Sequence, residues 1–268
     1  MSRPIITFTS DFGTQDWFVG VVHGVLATHA PESHIVDLDH AIAPGSILHG
    51  AFVLEAAASD FSPGTVHLAV VDPGVGTLRR AIAVQARGQY FVGPDNGLLE
   101  WALASPEAIV HELKEERWFR RPVSRTFHGR DVFAPVAAHL ARGVAIASFG
   151  PLIKDPVRCT RPEPKLEGET LLGHVVFIDR FGNALTDLTA AALAQVFGDT
   201  PDESFEVAVL ERRVHGLARS YGDAPVGALV AIVGSSGRLE VAQVGGDFAN
   251  RLGVGEGDLV TVRVLAGA

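Results

Sequence analysis

The stretch "TVHLAVVDPGVGTLRRAIAV" (Thr65–Val84) decides the fold. Leu68–Val71 is a continuous apolar run, the pattern of a strand buried on both faces. It stops on Asp72, a poor strand former, and Pro73 turns the chain. A loop carrying Gly74 and Gly76 follows, then Arg79 and Arg80, then a second apolar run, Ala81–Ala86. Glycines let a backbone come close to a ligand. In open α/β sheets ligands gather at the carboxyl ends of strands. Asp72 therefore reads as a residue delivered to a sheet edge.

Working outward, "IITFT" (Ile5–Thr9) and "HIVDLD" (His34–Asp39) are further short strands, and "YFVG" (Tyr90–Gly93) is another. "WFVGVVHGVLATHA" (Trp17–Ala30) and "SILHGAFVLEAAASDF" (Ser46–Phe61) carry apolar residues at helical spacing. "RDVFAPVAAHLARG" (Arg130–Gly143) reads as a helix closed by Gly143, with Pro135 near its start. Strands alternating with helices predict a largely parallel sheet with helices on both faces. The texture changes at the proline-rich linker Lys154–Glu169. Beyond it, short apolar runs separated by Gly, Asp and Pro predict a smaller antiparallel β-barrel. The expected domains are 1–160 and 168–268.

The chain has 268 residues, 47% hydrophobic and 20% charged, enough for a sizeable core. Its formal charge of −9 opposes a nucleic-acid partner, which leans on Lys and Arg. The single cysteine, Cys159, excludes an intrachain disulfide and fits a reducing cytoplasm. No apolar stretch reaches the roughly 20 residues that span a bilayer, and the N-terminus lacks the features of a signal peptide. "SDFG" (Ser10–Gly13) and "HGRD" (His128–Asp131) resemble kinase fragments but occur in the wrong order. The histidines are scattered, and His34 and His40 lack a metal-site framework, so no metal is expected.

Three polar clusters fall at predicted strand ends: Asp11 with Asp16, Asp72 with Arg79, and His128 before the late helix. Each has an ordinary reading: Asp11 a helix cap, Asp72–Pro73 a turn, the arginines a solvated pair, His128 a structural histidine. Taken together, at ends sharing one edge, they read as a site.

Six ordered blocks add a resemblance: "TFTSDFGTQDWFVGVVHGVL", "DHAIAPGSILHGAFVL", "FSPGTVHLAVVDPGVGTLRRAIAV", "YFVGPDNGLLEWAL", "FHGRDVFAPVAAHLARG" and "VVFIDRFGNALTDL". They resemble the SAM hydroxide adenosyltransferase family, relatives of the SAM-dependent chlorinases and fluorinases. The resemblance implies an N-terminal α/β domain, a C-terminal β-barrel, and a homotrimer with sites between subunits. It implies hydrolysis of S-adenosyl-L-methionine (SAM) to adenosine and L-methionine, with SAM as substrate and no cofactor. Carried over, the catalytic set is Asp72, Arg79 and His128. Asp11 matches the ribose-binding carboxylate, and Asp16 an acidic position near the methionine part. Asp179 would face the methionine ammonium, with Phe181 and Asn183 against adenine, and Ser235 and Ser236 on the methionine carboxylate. The last block, from Gly234 to Gly253, is less similar, and "QVGGD" (Gln243–Asp247) departs from an Asn-containing pattern.

The chemistry agrees with that set. Methionine leaves a sulfonium as a neutral thioether and needs no general acid. Water must be held in line and made nucleophilic. His128 is a candidate proton acceptor near neutral pH, and Arg79 can orient Asp72 or favour hydroxide. A halide needs only desolvation, so a halogenase is the rival enzyme. From a different class, a SAM- or adenosine-binding sensor without turnover also fits a ligand site at this edge. A metal-dependent nucleotide hydrolase is a third reading, weakened by the missing ligand spacing.

Overall fold

A computed structural model describes residues 3–160 and 163–265. The chain divides into two compact units, 1–160 and 161–268.

In the first unit β1 (Ile5–Ser10), α1 (Phe18–His29), β2 (His34–Asp39), α2 (Ile47–Ala58) and β3 (Val66–Val70) alternate as expected. There follow β4 (Ala81–Ala86), β5 (Gln89–Pro94), the short α3 (Glu100–Leu103), β6 (Ile109–Glu112), α4 (Ala134–Ala141) and β7 (Leu152–Ile153). The sheet order is β2-β1-β3-β5-β4-β6-β7. The apolar run of β3 is explained by burial on both sides. Val66, Leu68 and Val70 join the core beneath α1 and α4, while Ala69 and Val71 join the core beneath α2 and α3.

The largely parallel sheet expected from the sequence is present, and it continues into an antiparallel flank. β2, β1, β3 and β5 are mutually parallel, whereas the β5–β4, β4–β6 and β6–β7 pairings are antiparallel. The reversal begins at the two-residue turn Arg87–Gly88, where both residues have positive φ and Ala86 pairs with Gln89. Two left-handed residues match the twist of a tight hairpin, so β4 and β5 pair directly with no crossover helix.

The second unit contains β8 (Lys165–Glu167), β9 (Thr170–Ile178), β10 (Ala184–Thr189), α5 (Ala190–Phe197), β11 (Phe205–Val209) and β12 (Arg212–His215). It ends with β13 (Leu229–Val233), β14 (Arg238–Gln243), α6 (Phe248–Leu252) and β15 (Leu259–Val264). Its strands pair antiparallel in the order β12-β11-β15-β9-β10-β14-β13, with β8 on β9. Ala218, just after β12, bridges Ile232 of β13, so the two edges curl together toward a barrel. Val175, Leu188, Val207, Val241, Phe248 and Val260 fill its interior. α5 starts where the Thr189 hydroxyl accepts the Ala192 N–H.

Candidate active site

Parallel pairing sets the first unit's site. Ser10 at the end of β1 lies opposite Val70 at the end of β3, so the loops carrying Asp11 and Asp72 leave the same edge. Arg79 returns to Asp72 as a fork: Nε donates to Oδ1 at 2.8 Å and Nη2 donates to Oδ2. Nη2 also donates to Nδ1 of His128 at 2.9 Å. Arg79 has no acceptor, so the direction of that bond is fixed. The Asp72 side chain is 4% exposed and that of Arg79 11%. The guanidinium carbon lies 5.1 Å from the centre of the Phe133 ring, which closes the site from below. Burial and the Arg79 charge together hold His128 below the usual histidine pKa.

This geometry revises the sequence reading of His128. Its Nδ1 lone pair is occupied by Arg79, so the neutral ring carries its hydrogen on Nε2. The free edge of the ring offers a donor rather than a base.

His128 stands just before one wide helical turn, Gly129–Phe133, that leads into α4. The loop before it is tied to Asp131, which is fully buried. Asp131 accepts from Arg130 and Arg120 and from the Ser124 backbone N–H at 2.8 Å. Burial raises the Asp131 pKa, but these bonds outweigh it and hold the carboxyl ionised. In the Asp72 loop Gly74 makes room for the Arg79 side chain and Gly76 for protein backbone. Gly76 has φ +77°, and a Cβ there would sit 2.3 Å from the Arg125 carbonyl oxygen. The Arg80 side chain turns away from the Asp72 cluster; it pairs with buried Asp95 at 2.7 Å and with Asp155.

Asp11 is no helix cap. α1 begins at Phe18, and Asp11 Oδ2 instead accepts the Gly45 N–H at 2.8 Å. A Cβ at Gly45 would lie 3.8 Å from Pro73, which places the Asp11 and Asp72 loops side by side. Asp11 keeps its Oδ1 free of any described bond, and Asp16 is exposed on the same loop.

In the second unit Asp179 builds a turn. Its Oδ1 accepts the N–H groups of Phe181 and Asn183 at 2.8 and 2.9 Å, and its Oδ2 accepts from the Asn183 amide at 2.8 Å. Gly182 closes the turn with φ +81°, where a Cβ would collide with Asp247. Phe181 is left 74% exposed. Asp179, Phe181 and Asn183 line an open hollow of about 720 Å³ with Tyr221 and Gln243–Asp247. The divergent "QVGGD" segment is therefore part of this wall. Ser235 and Ser236 lie outside it, on the turn between β13 and β14. Sequence reading passes over Tyr221 and Glu240, whose side chains bond each other beside Asn183. Burial pushes the Glu240 carboxyl up. The sequence also gives no signal for Asp131, inside "HGRD", or for His23 and Asp37, which join His40 in a cluster whose ligand atoms all lie within 4.8 Å of one another.

The two family models that match are the SAM hydroxide adenosyltransferase N-terminal domain, over residues 6–150, and C-terminal domain, over residues 173–261. The chain belongs to the SAM hydroxide adenosyltransferase family. A Salinispora arenicola protein named (R)-S-adenosyl-L-methionine hydrolase is 44% identical over 99% of both chains. A Nocardia brasiliensis protein named fluorinase is more distant, 28% identical over 98% of this chain and 97% of its own. A Thermotoga maritima crystal structure of an uncharacterized conserved protein superposes with a TM-score of 0.91 at 35% identity, covering 96% of this chain and 99% of that one.

Proposed function

We propose that this chain is an enzyme that hydrolyses S-adenosyl-L-methionine to adenosine and L-methionine, with water attacking the ribose C5′. The observation that carries the reading is the Asp72–Arg79–His128 chain of hydrogen bonds at the carboxyl end of β3. In the reaction an O–C5′ bond forms, the C5′–S bond breaks, and its electron pair goes to sulfur. The water proton is released to solvent, so water is the one co-reactant and the reaction calls for no cofactor. The identity to a protein named as the hydrolase supports this reading over the halogenase, and the more distant fluorinase fits that order. A halide is already an anion and has no proton to lose, so it has no need of groups that favour hydroxide over water.

In this reading Arg79 and the His128 Nε2–H stabilise charge building toward hydroxide, and Asp72 holds Arg79 in place. The free oxygen of Asp11 accepts from the two ribose hydroxyls, and Asp16 stands near the methionine part. Asp179, Phe181 and Asn183 complete the site of a neighbouring subunit in a homotrimer, with Ser235 and Ser236 toward the methionine carboxylate. The setting is a cytoplasmic one; no helix of the described residues is long and apolar enough to cross a membrane.

The test is product analysis in labelled water with high chloride present, offering each sulfonium epimer separately because the relative's name specifies an (R) configuration. Adenosine carrying the label at its 5′ oxygen is the expected product. Unlabelled adenosine, or a 5′-chloro nucleoside as main product, overturns the hydrolytic reading.

A further inference from the structure

Apart from the Asp72 site, the fold gathers three potential metal ligands from three places in the chain. His23 lies on α1, Asp37 on β2, and His40 just after β2. Asp37 Oδ1 is 2.8 Å from His23 Nε2 and 3.0 Å from His40 Nε2. The two exposed members leave the cluster open to solvent: the side chains of His23 and Asp37 are 36% and 42% exposed. His40 is the buried member, its side chain 5% exposed.

The environment of His40 separates this cluster from an ordinary surface ion pair. Its Nδ1 lies 2.7 Å from the hydroxyl of fully buried Ser10, which also accepts the Phe12 N–H. The Phe8 ring packs edge-on against the imidazole, with centroids 4.6 Å apart, and fixes its plane. Its Nε2 is buried and makes no well-directed hydrogen bond among the described residues, although Asp37 is near. In the tautomer whose Nδ1 donates to Ser10, Nε2 turns a lone pair toward the Asp37 carboxylate, and two acceptors face each other. A cation between them resolves the conflict. A hydrogen-bonded Nδ1 that fixes tautomer and ring direction is the outer-shell partner a metal-bound histidine requires.

We propose that His23, Asp37 and His40 form a binding site for a divalent transition-metal ion of the zinc class. Two imidazoles and one carboxylate are the donor set such ions take. Bonds of about 2.1 Å put neighbouring ligand atoms about 3.0 Å apart around an octahedral ion and about 3.4 Å apart around a tetrahedral one. The two observed nitrogen–oxygen separations are already at or just below the first spacing, and exposed His23 and Asp37 can adjust without disturbing the core. Solvent fills the remaining positions. The ion would tie α1 and β2 to the β1–α1 loop: Ser10 immediately precedes Asp11, and the His40 carbonyl accepts the Gly13 N–H at 2.8 Å. This makes the site a clamp on the segment that carries Asp11, whatever reaction that segment serves.

The experiment is titration of chelator-treated full-length protein with Zn²⁺ by calorimetry and with Co²⁺ by absorption spectroscopy, beside His23→Ala and Asp37→Asn. Both substitutions fall on exposed side chains and leave the buried His40 in place. One equivalent of Zn²⁺ per chain, a Co²⁺ spectrum of nitrogen–oxygen ligation, and affinity at least tenfold weaker in each variant are expected. A melting temperature that rises with Zn²⁺ in the wild type and not in the variants completes the expected result. No saturable binding, or binding equally tight in both variants, overturns the proposal.

Discussion

The Asp72 loop and the Asp179 turn each begin with an aspartate at the end of a strand, and they use it in opposite ways. Asp72 spends both oxygens on the side chain of Arg79, and Arg79 spends its remaining Nη2 hydrogen on His128. Asp179 spends Oδ1 on two backbone N–H groups of its own turn and Oδ2 on Asn183. The first arrangement stores charge and direction in a desolvated place, where fixed dipoles and charges act strongly on a reacting atom. The second stores shape: it projects Phe181 into solvent above a hollow. One aspartate thus holds a charge in place and the other holds a turn, and substitutions that preserve charge or preserve shape should separate the two uses.

The largest effect is expected where shape is lost and charge is kept. Arg79→Lys retains a cation but cannot form the two-toothed bond to Asp72 and reach His128 as well. Turnover should fall about 10²–10³-fold, the cost of losing one oriented donor to a developing oxyanion, with SAM affinity by calorimetry little changed. Combining Arg79→Lys with His128→Ala should cost far less than the product of the single losses, because the residues act as one unit. Near-wild-type turnover in Arg79→Lys would reduce the first region to a simple charged patch and erase its difference from the second.

A pH profile tests the same region with a smaller effect. Burial and Arg79 lower the His128 pKa from 6.5, so the ring is neutral at pH 7. Protonation must occur at Nδ1, where it displaces the Arg79 bond. Activity should therefore hold near pH 7 and begin to fall only as the pH approaches the His128 midpoint, which lies below 6.5. Below that midpoint it should decline by about tenfold per pH unit once the ring is charged. NMR titration of His128 should give the same midpoint. A midpoint at or above 6.5 would mean that burial and Arg79 together do not outweigh the Asp72 and Asp131 carboxylates around the ring.

How much of the molecule is legible in its sequence follows from where each signal sits. β3 and Asp72 can be read because a doubly buried strand writes an unbroken apolar run and a carboxylate ends it. Arg79 and Arg80 are adjacent and look alike in sequence. The fold alone sends one to Asp72 and the other to Asp95. The antiparallel half of the first sheet is hidden because Arg87–Gly88 is a hairpin turn without the usual Asn or Asp. Asp131 stands out only as part of a kinase-like fragment, since nothing local reveals that it ties Arg120, Ser124 and Arg130 together. His23, Asp37 and His40 have no metal-site spacing because α1 and β2 supply them from separate elements. The tautomer of His128 depends on a contact across 49 positions, which only coordinates supply.

The smallest effect belongs to Asp179→Asn, and it separates the two uses of that side chain. An asparagine can present its amide oxygen to the Phe181 and Asn183 N–H groups as Asp179 Oδ1 does now. The amide nitrogen then faces the Asn183 amide in place of Oδ2, a contact that Asn183 can relieve by turning its side-chain oxygen inward. The turn, and with it the position of Phe181, should survive, so the melting temperature should shift by no more than about 2 °C. The negative charge is gone. If Asp179 also faces the methionine ammonium, affinity should weaken about three- to tenfold, on the order of 1 kcal/mol for a partly solvated charge contact. Turnover at saturating SAM should be unchanged, because a contact made equally in ground and transition states does not alter the chemical step. Unchanged affinity in a folded Asp179→Asn protein would show that the carboxylate is purely a turn builder, and the contrast with Asp72 would then be complete.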